Sequence, residues 1–142
     1  MIYVVKSLFN TDVTNGLYDG FLNAINESNY DQDIKLIDVP GAFDIPGAVR
    51  RILDNDNCKI IVTLGCVIKG ETAHFEYISE SVTKQIMELS LNKNNIPVLY
   101  GILTTYNYQQ ALDRIKNDNS NKGYEVMSAA IMMVNQFLNF KK

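Results

Sequence analysis

Chemistry-bearing side chains are densest in the run Gly65-Cys66-Val67-Ile68-Lys69-Gly70-Glu71-Thr72-Ala73-His74. An apolar stretch from Lys59 to Leu64 precedes it and a helical pattern follows, so the run reads as a loop from a buried strand into a helix. The amides around Glu71 and the Thr72 hydroxyl then sit at a helix N-terminus, where orphan N–H groups and the helix dipole favour an anion. It is not a P-loop, because the glycine count and the Gly-Lys-Ser/Thr ending are missing. His74 closes the run and is the chain's one histidine. An imidazole with its intrinsic pKa of about 6.5 both takes and gives a proton near neutral pH. Lone histidines are usually structural; the adjoining anion site is what makes His74 a candidate acid/base. A single histidine also excludes a multi-histidine metal site within one chain. Cys58 and Cys66 fit no zinc or redox spacing and read as small buried residues.

Three other places offer chemistry. Phe9-Asn10 follows the first apolar run; an aromatic there commonly packs, but an exposed one is a stacking platform for a flat heterocycle. Pro40-Gly41-Ala42-Phe43-Asp44-Ile45-Pro46 is a stiff turn into a helix, offering unpaired first-turn amides and the Asp44 carboxylate to a polyhydroxyl ligand. Asp44 serves equally well as a helix cap, and the two roles are compatible. Further on come Tyr100 at the end of the fourth apolar run, Arg114 on a helix and Lys122 in an Asn-rich turn. The last two read singly as solvated surface, although a guanidinium is the side chain best shaped to grip a phosphate.

Four apolar or β-branched runs must hold these segments: Ile2 to Val5, Ile34 to Val39, Lys59 to Leu64 and Pro97 to Leu103. Their near-continuous apolar character suits parallel strands buried on both faces. Helical patterns alternate with them. Val13, Leu17, Phe21 and Ile25 form one stripe, with Asn10, Thr11 and Asp12 as cap candidates. Pro46 opens the next helix, with Val49, Ile52 and Leu53 inward. Phe75, Ile78, Val82, Ile86 and Leu89 mark a third. A fourth lies around Gln109 to Lys116, and the last carries Val126, Ala130, Val134 and Phe137. The alternation predicts one α/β domain over residues 1–142, a three-layer α/β/α sandwich on a flavodoxin-like four-stranded parallel sheet. Ligands then bind beyond the carboxyl ends of the strands, where the loops 7–11, 39–46, 65–74 and 101–107 fall.

A chain of 142 residues with a formal charge of −3 gives no basic stripe for nucleic acid. No apolar run approaches a membrane span. The N-terminus is too short and too soon polar for a signal peptide, so the expected address is cytoplasmic.

Taken in order, Phe9-Asn10, Pro40 to Pro46, Gly65 to Tyr77, Tyr100-Gly101-Ile102-Leu103-Thr104-Thr105 and Asn121-Lys122-Gly123 resemble the lumazine synthase family over nearly the whole chain. The resemblance implies condensation of 5-amino-6-(D-ribitylamino)uracil with 3,4-dihydroxy-2-butanone 4-phosphate, without metal or organic cofactor. It implies that Phe9 stacks on the pyrimidine, that Ala42, Phe43 and Asp44 line the ribityl chain, and that backbone groups of Cys66, Val67 and Ile68 read the uracil edge. Glu71 and Thr72 would hold the phosphate with Arg114, His74 would move protons, Tyr100 would close over the ring, and Lys122 would lie near the phosphate or ribityl chain. It also implies a homopentamer, in some members twelve pentamers forming a 60-subunit shell. Phe9 and His74 would come from one subunit, Tyr100 and Arg114 from its neighbour. A riboflavin synthase partner is left open.

The chain departs from the family pattern at Asp44 (often Glu), Tyr100 (commonly Phe) and Lys69 (frequently Arg), and since it starts almost directly at its first expected strand, the N-terminal extension of many members is not expected. The rival readings are a flavodoxin-like module that binds a flavin or other flat ligand without turnover, a shell-forming protein with a decayed pocket, and a riboflavin synthase paralogue. The module gives no role to His74 paired with Arg114. Intact His74, Thr72 and Arg114 speak against decay. The His74 context and the Asn121-Lys122-Gly123 turn favour lumazine synthase over the paralogue.

Overall fold

The computed structural model describes residues 1–55, 57–138 and 140. Strands and helices alternate as β1 (Ile2–Ser7), α1 (Thr11–Ser28), β2 (Ile34–Val39), a single 3-10 turn (Ala42–Asp44), α2 (Ile45–Asn55), β3 (Ile60–Ile68), α3 (His74–Ser90), β4 (Val98–Thr105), α4 (Tyr108–Asp113) and α5 (Lys122–Phe137). The four strands are all parallel in the order β2-β1-β3-β4. This is the three-layer, flavodoxin-like arrangement expected from the alternation of patterns.

Side-chain alternation divides the strands between two cores. Ile2, Val4, Ile60, Val62, Leu64 and Cys66 meet α1, α4 and α5 on one face. Tyr3, Val5, Ile61, Val67, Val98 and Ile102 meet α2 and α3 on the other. The central strands β1 and β3 are buried on both sides, as their composition predicts. The edge strand β2 is not: only Val39 is fully buried and Leu36 is exposed. An apolar run therefore marks a strand without marking a central one.

α1 and α5 pack closely enough that a Cβ on Gly123 would fall 1.8 Å from the Leu17 carbonyl oxygen. The buried Asn121 locks this contact. Its Oδ1 accepts from the amides of Gly123 (2.8 Å) and Tyr124 (3.3 Å), capping α5, while its Nδ2 donates to the Gly16 carbonyl at 3.1 Å. No helix among the described residues is long and apolar enough to cross a membrane.

Candidate active site at the carboxyl rim of the sheet

The rim loops are tied to one another by hydrogen bonds. Pairing of β1 with β2 continues into their loops, where Leu8 N donates to Val39 O (2.8 Å) and Phe9 N to Pro40 O (3.0 Å). Asn10 then turns the chain into α1 with a left-handed backbone, φ 59° and ψ 51°, a conformation that asparagine tolerates better than most residues. That turn frees its side chain to reach across the rim, where Nδ2 donates to the Cys66 carbonyl at 3.2 Å. Phe9, one residue earlier, is left 70% exposed. A large aromatic stranded in water on a loop held at both ends is a platform rather than core.

In the second loop, Asp44 Oδ2 accepts from Gly41 N at 3.1 Å while Asp44 N donates to Gly41 O at 3.0 Å. The carboxylate caps its own turn and stays exposed, so the capping and ligand readings coexist. Ala42 is buried in the α2/α3 core, so its methyl is not offered to the rim; Phe43 is exposed. A concavity of about 680 Å³ opens beside this turn, walled by Val39, Pro40, Phe43, Asp44, Ala48 and Arg51 among others; Phe9 and His74 are not among its walls.

The third segment differs from its expected loop. Gly65 to Ile68 belong to β3, and the turn proper is only Lys69 to Ala73. The strand runs through Gly65 because that position is a packing site: Ile45, Ile102 and the Ser7 Oγ crowd within 3.0–3.3 Å of where a Cβ would be. Pairing of β3 with β1 ends at Lys6–Leu64, whereas pairing with β4 continues to Ile68–Thr105. In a parallel ladder alternate residues turn their N–H and C=O to opposite neighbours. Lys69 N donates to Thr105 O at 2.9 Å, which assigns Val67 and Lys69 to the β4 side. Cys66 and Ile68 then turn to the β1 side, beyond the last β1 partner and beside Phe9-Asn10. The Cys66 side chain points the other way, into the α1/α5 core, where burial, seconded by the Asp12 charge, pushes its thiol up to about 12.

Glu71, Thr72 and His74 are all exposed around the start of α3, and His74 N donates to Thr72 Oγ1 at 3.4 Å. Lys69 Nζ lies 3.6 Å from Glu76 Oε1 and 5.8 Å from the Tyr106 ring centre, steadying the turn from the β4 side. Among the described residues no group of three His, Cys, Asp or Glu could hold a metal ion.

Phe9, Ala42 to Asp44, and Cys66 to His74 are thus brought to one rim. Tyr100 is not. It is the third residue of β4 rather than its end, roughly 16 Å back along the strand at ~3.3 Å per residue. Arg114 follows α4 as its C-cap instead of lying within a helix, and Lys122 opens α5 instead of lying in the turn. The two are joined by Lys122 N donating to Arg114 O at 2.8 Å. In this chain their charged ends have local partners, Gln110 O for Arg114 and Glu125 for Lys122. Sequence reasoning missed the Asn10 bridge, the Asn121 lock and the Thr83 partner of Tyr100; Asn10 carried a signal as a cap candidate and Asn121 as part of the Asn121-Lys122-Gly123 turn, while Thr83 carried none.

With this geometry in view, comparison with known proteins is decisive. The family described as 6,7-dimethyl-8-ribityllumazine synthase matches residues 1–137. The chain belongs to that family. Curated 6,7-dimethyl-8-ribityllumazine synthases from Campylobacter jejuni, of subspecies jejuni and of subspecies doylei, are each 38% identical over 135 residues, covering 94% of this chain and 87% of theirs. Of the five segments that carry the resemblance to lumazine synthases, the first three converge on the rim, and Tyr100 in the fourth is set back from it.

Proposed function

We propose that the chain is a 6,7-dimethyl-8-ribityllumazine synthase, acting one step before riboflavin. It condenses 5-amino-6-(D-ribitylamino)uracil with 3,4-dihydroxy-2-butanone 4-phosphate. The observation that carries the proposal is the Asn10–Cys66 bond, which seats the exposed Phe9 beside the free edge of β3 that leads into the Thr72–His74 turn. The pyrimidine stacks on Phe9 while the β3 backbone at Cys66 and Ile68, turned to the β1 side, meets its polar rim; the Val67 backbone between them pairs with β4 and is not offered to the ligand. Phe43 and Asp44 follow the ribityl chain, Ala42 only through its backbone because its methyl is buried. The turn amides at Glu71 and Thr72, just ahead of α3, with Arg114, hold the phosphate.

In this reading the amine attacks the ketone to give an imine, phosphate leaves, and the ring closes with loss of water. His74 relays the protons. Both reactants are already reactive, so orientation supplies much of the rate, and well-placed partners reach effective molarities of about 10⁵ M or more. No cofactor enters the scheme.

The proposal extends to assembly. Tyr100, on the edge strand β4, and Arg114 would complete the site of an adjacent copy, with Lys122 near the phosphate or the ribityl chain. That calls for a head-to-tail contact that closes into a ring, here a homopentamer. Whether twelve such rings form a 60-subunit shell is read directly by light scattering. A cytoplasmic address and a bound riboflavin synthase belong to the same proposal.

The test is to mix the purified protein with both substrates and follow lumazine absorbance and fluorescence. Turnover well above the uncatalysed rate is expected, and His74→Ala should lower kcat about 10²-fold, as loss of a general acid/base does. A wild-type rate equal to the uncatalysed one would leave the flat-ligand binding module as the better reading.

A further inference from the structure

Tyr100 is held in a way that assigns work to two threonines. It lies on the outermost strand with its side chain on the α3 face, 39% exposed. Its backbone is gripped from both sides by one buried hydroxyl: Thr63 Oγ1 donates to Leu99 O at 2.8 Å and accepts from Gly101 N at 3.4 Å. Its ring tip is fixed as well, because its hydroxyl and that of Thr83 on α3 share a hydrogen bond of 2.8 Å. A half-exposed tyrosine on an edge strand would otherwise swing about χ1 and carry an unpaired hydroxyl toward whatever packs on it. An unpaired polar group driven into an interface carries a desolvation cost.

We propose that Thr83 is a positioning residue for the reaction. By taking the Tyr100 hydroxyl onto α3, it holds the ring in one orientation and turns its polar end away, so that the neighbouring copy's site meets only the aromatic face. The inference rests on the proposed function, in which Tyr100 closes over the pyrimidine. Thr83 touches no substrate; it acts only through Tyr100, so its contribution vanishes when the hydroxyl is absent. The effect belongs to binding of the aromatic substrate and not to proton transfer, so KM for ribitylaminouracil moves while kcat and KM for the butanone phosphate stay.

The experiment is a double-mutant cycle in the full-length protein with Thr83→Val, Tyr100→Phe and both together, measuring KM for each substrate, kcat and melting temperature, with Thr83→Ser as the conservative rescue. Thr83→Val is expected to raise KM for ribitylaminouracil about three- to ten-fold, the worth of one neutral hydrogen bond. Thr83→Ser should restore it, and in the Tyr100→Phe background Thr83→Val should add nothing. Equal effects of Thr83→Val with and without the Tyr100 hydroxyl, or a shift in melting temperature with KM unmoved, would overturn the inference while leaving the synthase reading intact. An inactive wild-type protein would overturn both.

Discussion

The two sides of the candidate site are built differently. On the β2-β1-β3 side the loops are laced by backbone bonds and the Asn10 bridge, and their functional groups stand exposed on a rigid rim. Elsewhere, β4 carries Tyr100 well back from its carboxyl end, Arg114 caps α4 and Lys122 opens α5, each held by its own local partner. The contrast fits the proposed division of the site between two copies of the chain, and the concavity beside the Asp44 turn does not have His74 among its walls.

The contrast can be broken or sharpened by substitution. The largest effect is expected at Arg114. Removing a charge-assisted phosphate grip should lower kcat/KM about 10²-fold, with Arg114→Lys recovering only part because the bidentate fork is gone. The guanidinium bond to Gln110 O is exposed, and the backbone bonds of Arg114 survive the substitution, so melting temperature should hold. If stability fell with activity, Arg114 would be structural. Phe9→Ala should come next, raising KM for ribitylaminouracil about ten-fold through lost stacking with stability retained; Phe9→Tyr should recover most of it. Smaller again is Asn10→Ala, which removes the Cys66 bond and puts at positive φ a residue that tolerates it less well than asparagine, for about 1–2 kcal/mol in thermal or urea unfolding. Asn10→Gly should cost less, since glycine accepts the backbone angle.

The mildest expectation concerns Cys66, which enters the site only through its backbone. Because burial raises the folded thiol's pKa to about 12, it stays protonated where an unfolded thiol, near ~8.5, ionises. The associated stability is therefore intact below the unfolded value and declines as pH rises from there toward 12. Mass spectrometry after brief iodoacetamide treatment at pH 8 should find Cys66 unmodified in the folded protein and modified in urea; labelling in the folded state would mean that the thiol faces the rim.

Much of this was legible in the sequence, and the exceptions have physical causes. Four apolar runs gave four parallel strands because β-branched stretches bounded by helical stripes have few other ways to bury themselves. The end of β3 was misjudged because Gly65 reads as a turn residue, whereas here it makes room for Ile45, Ile102 and Ser7. Edge position was invisible for β2, since it depends on strand order. The Asn10 bridge spans 56 positions and the Asn121 lock 105, and no local pattern encodes such pairs. Phe9, Asp44, Thr72 and His74 stood out because each adjoins a strand end, while the roles of Arg114 and Tyr100 came from resemblance, their partners lying beyond anything local spacing describes.

The central claim is that a working site needs groups from two copies of the chain. His74→Ala and Arg114→Ala disable opposite sides of it. Co-expressed in equal amounts and compared with each variant alone, they should assemble at random and leave about a quarter of the sites with both wild-type sides. The account predicts lumazine formation recovering to about that fraction of the wild-type rate. Activity of the mixture no higher than the average of the two variants would mean that His74 and Arg114 serve one site within a single chain, and would contradict it.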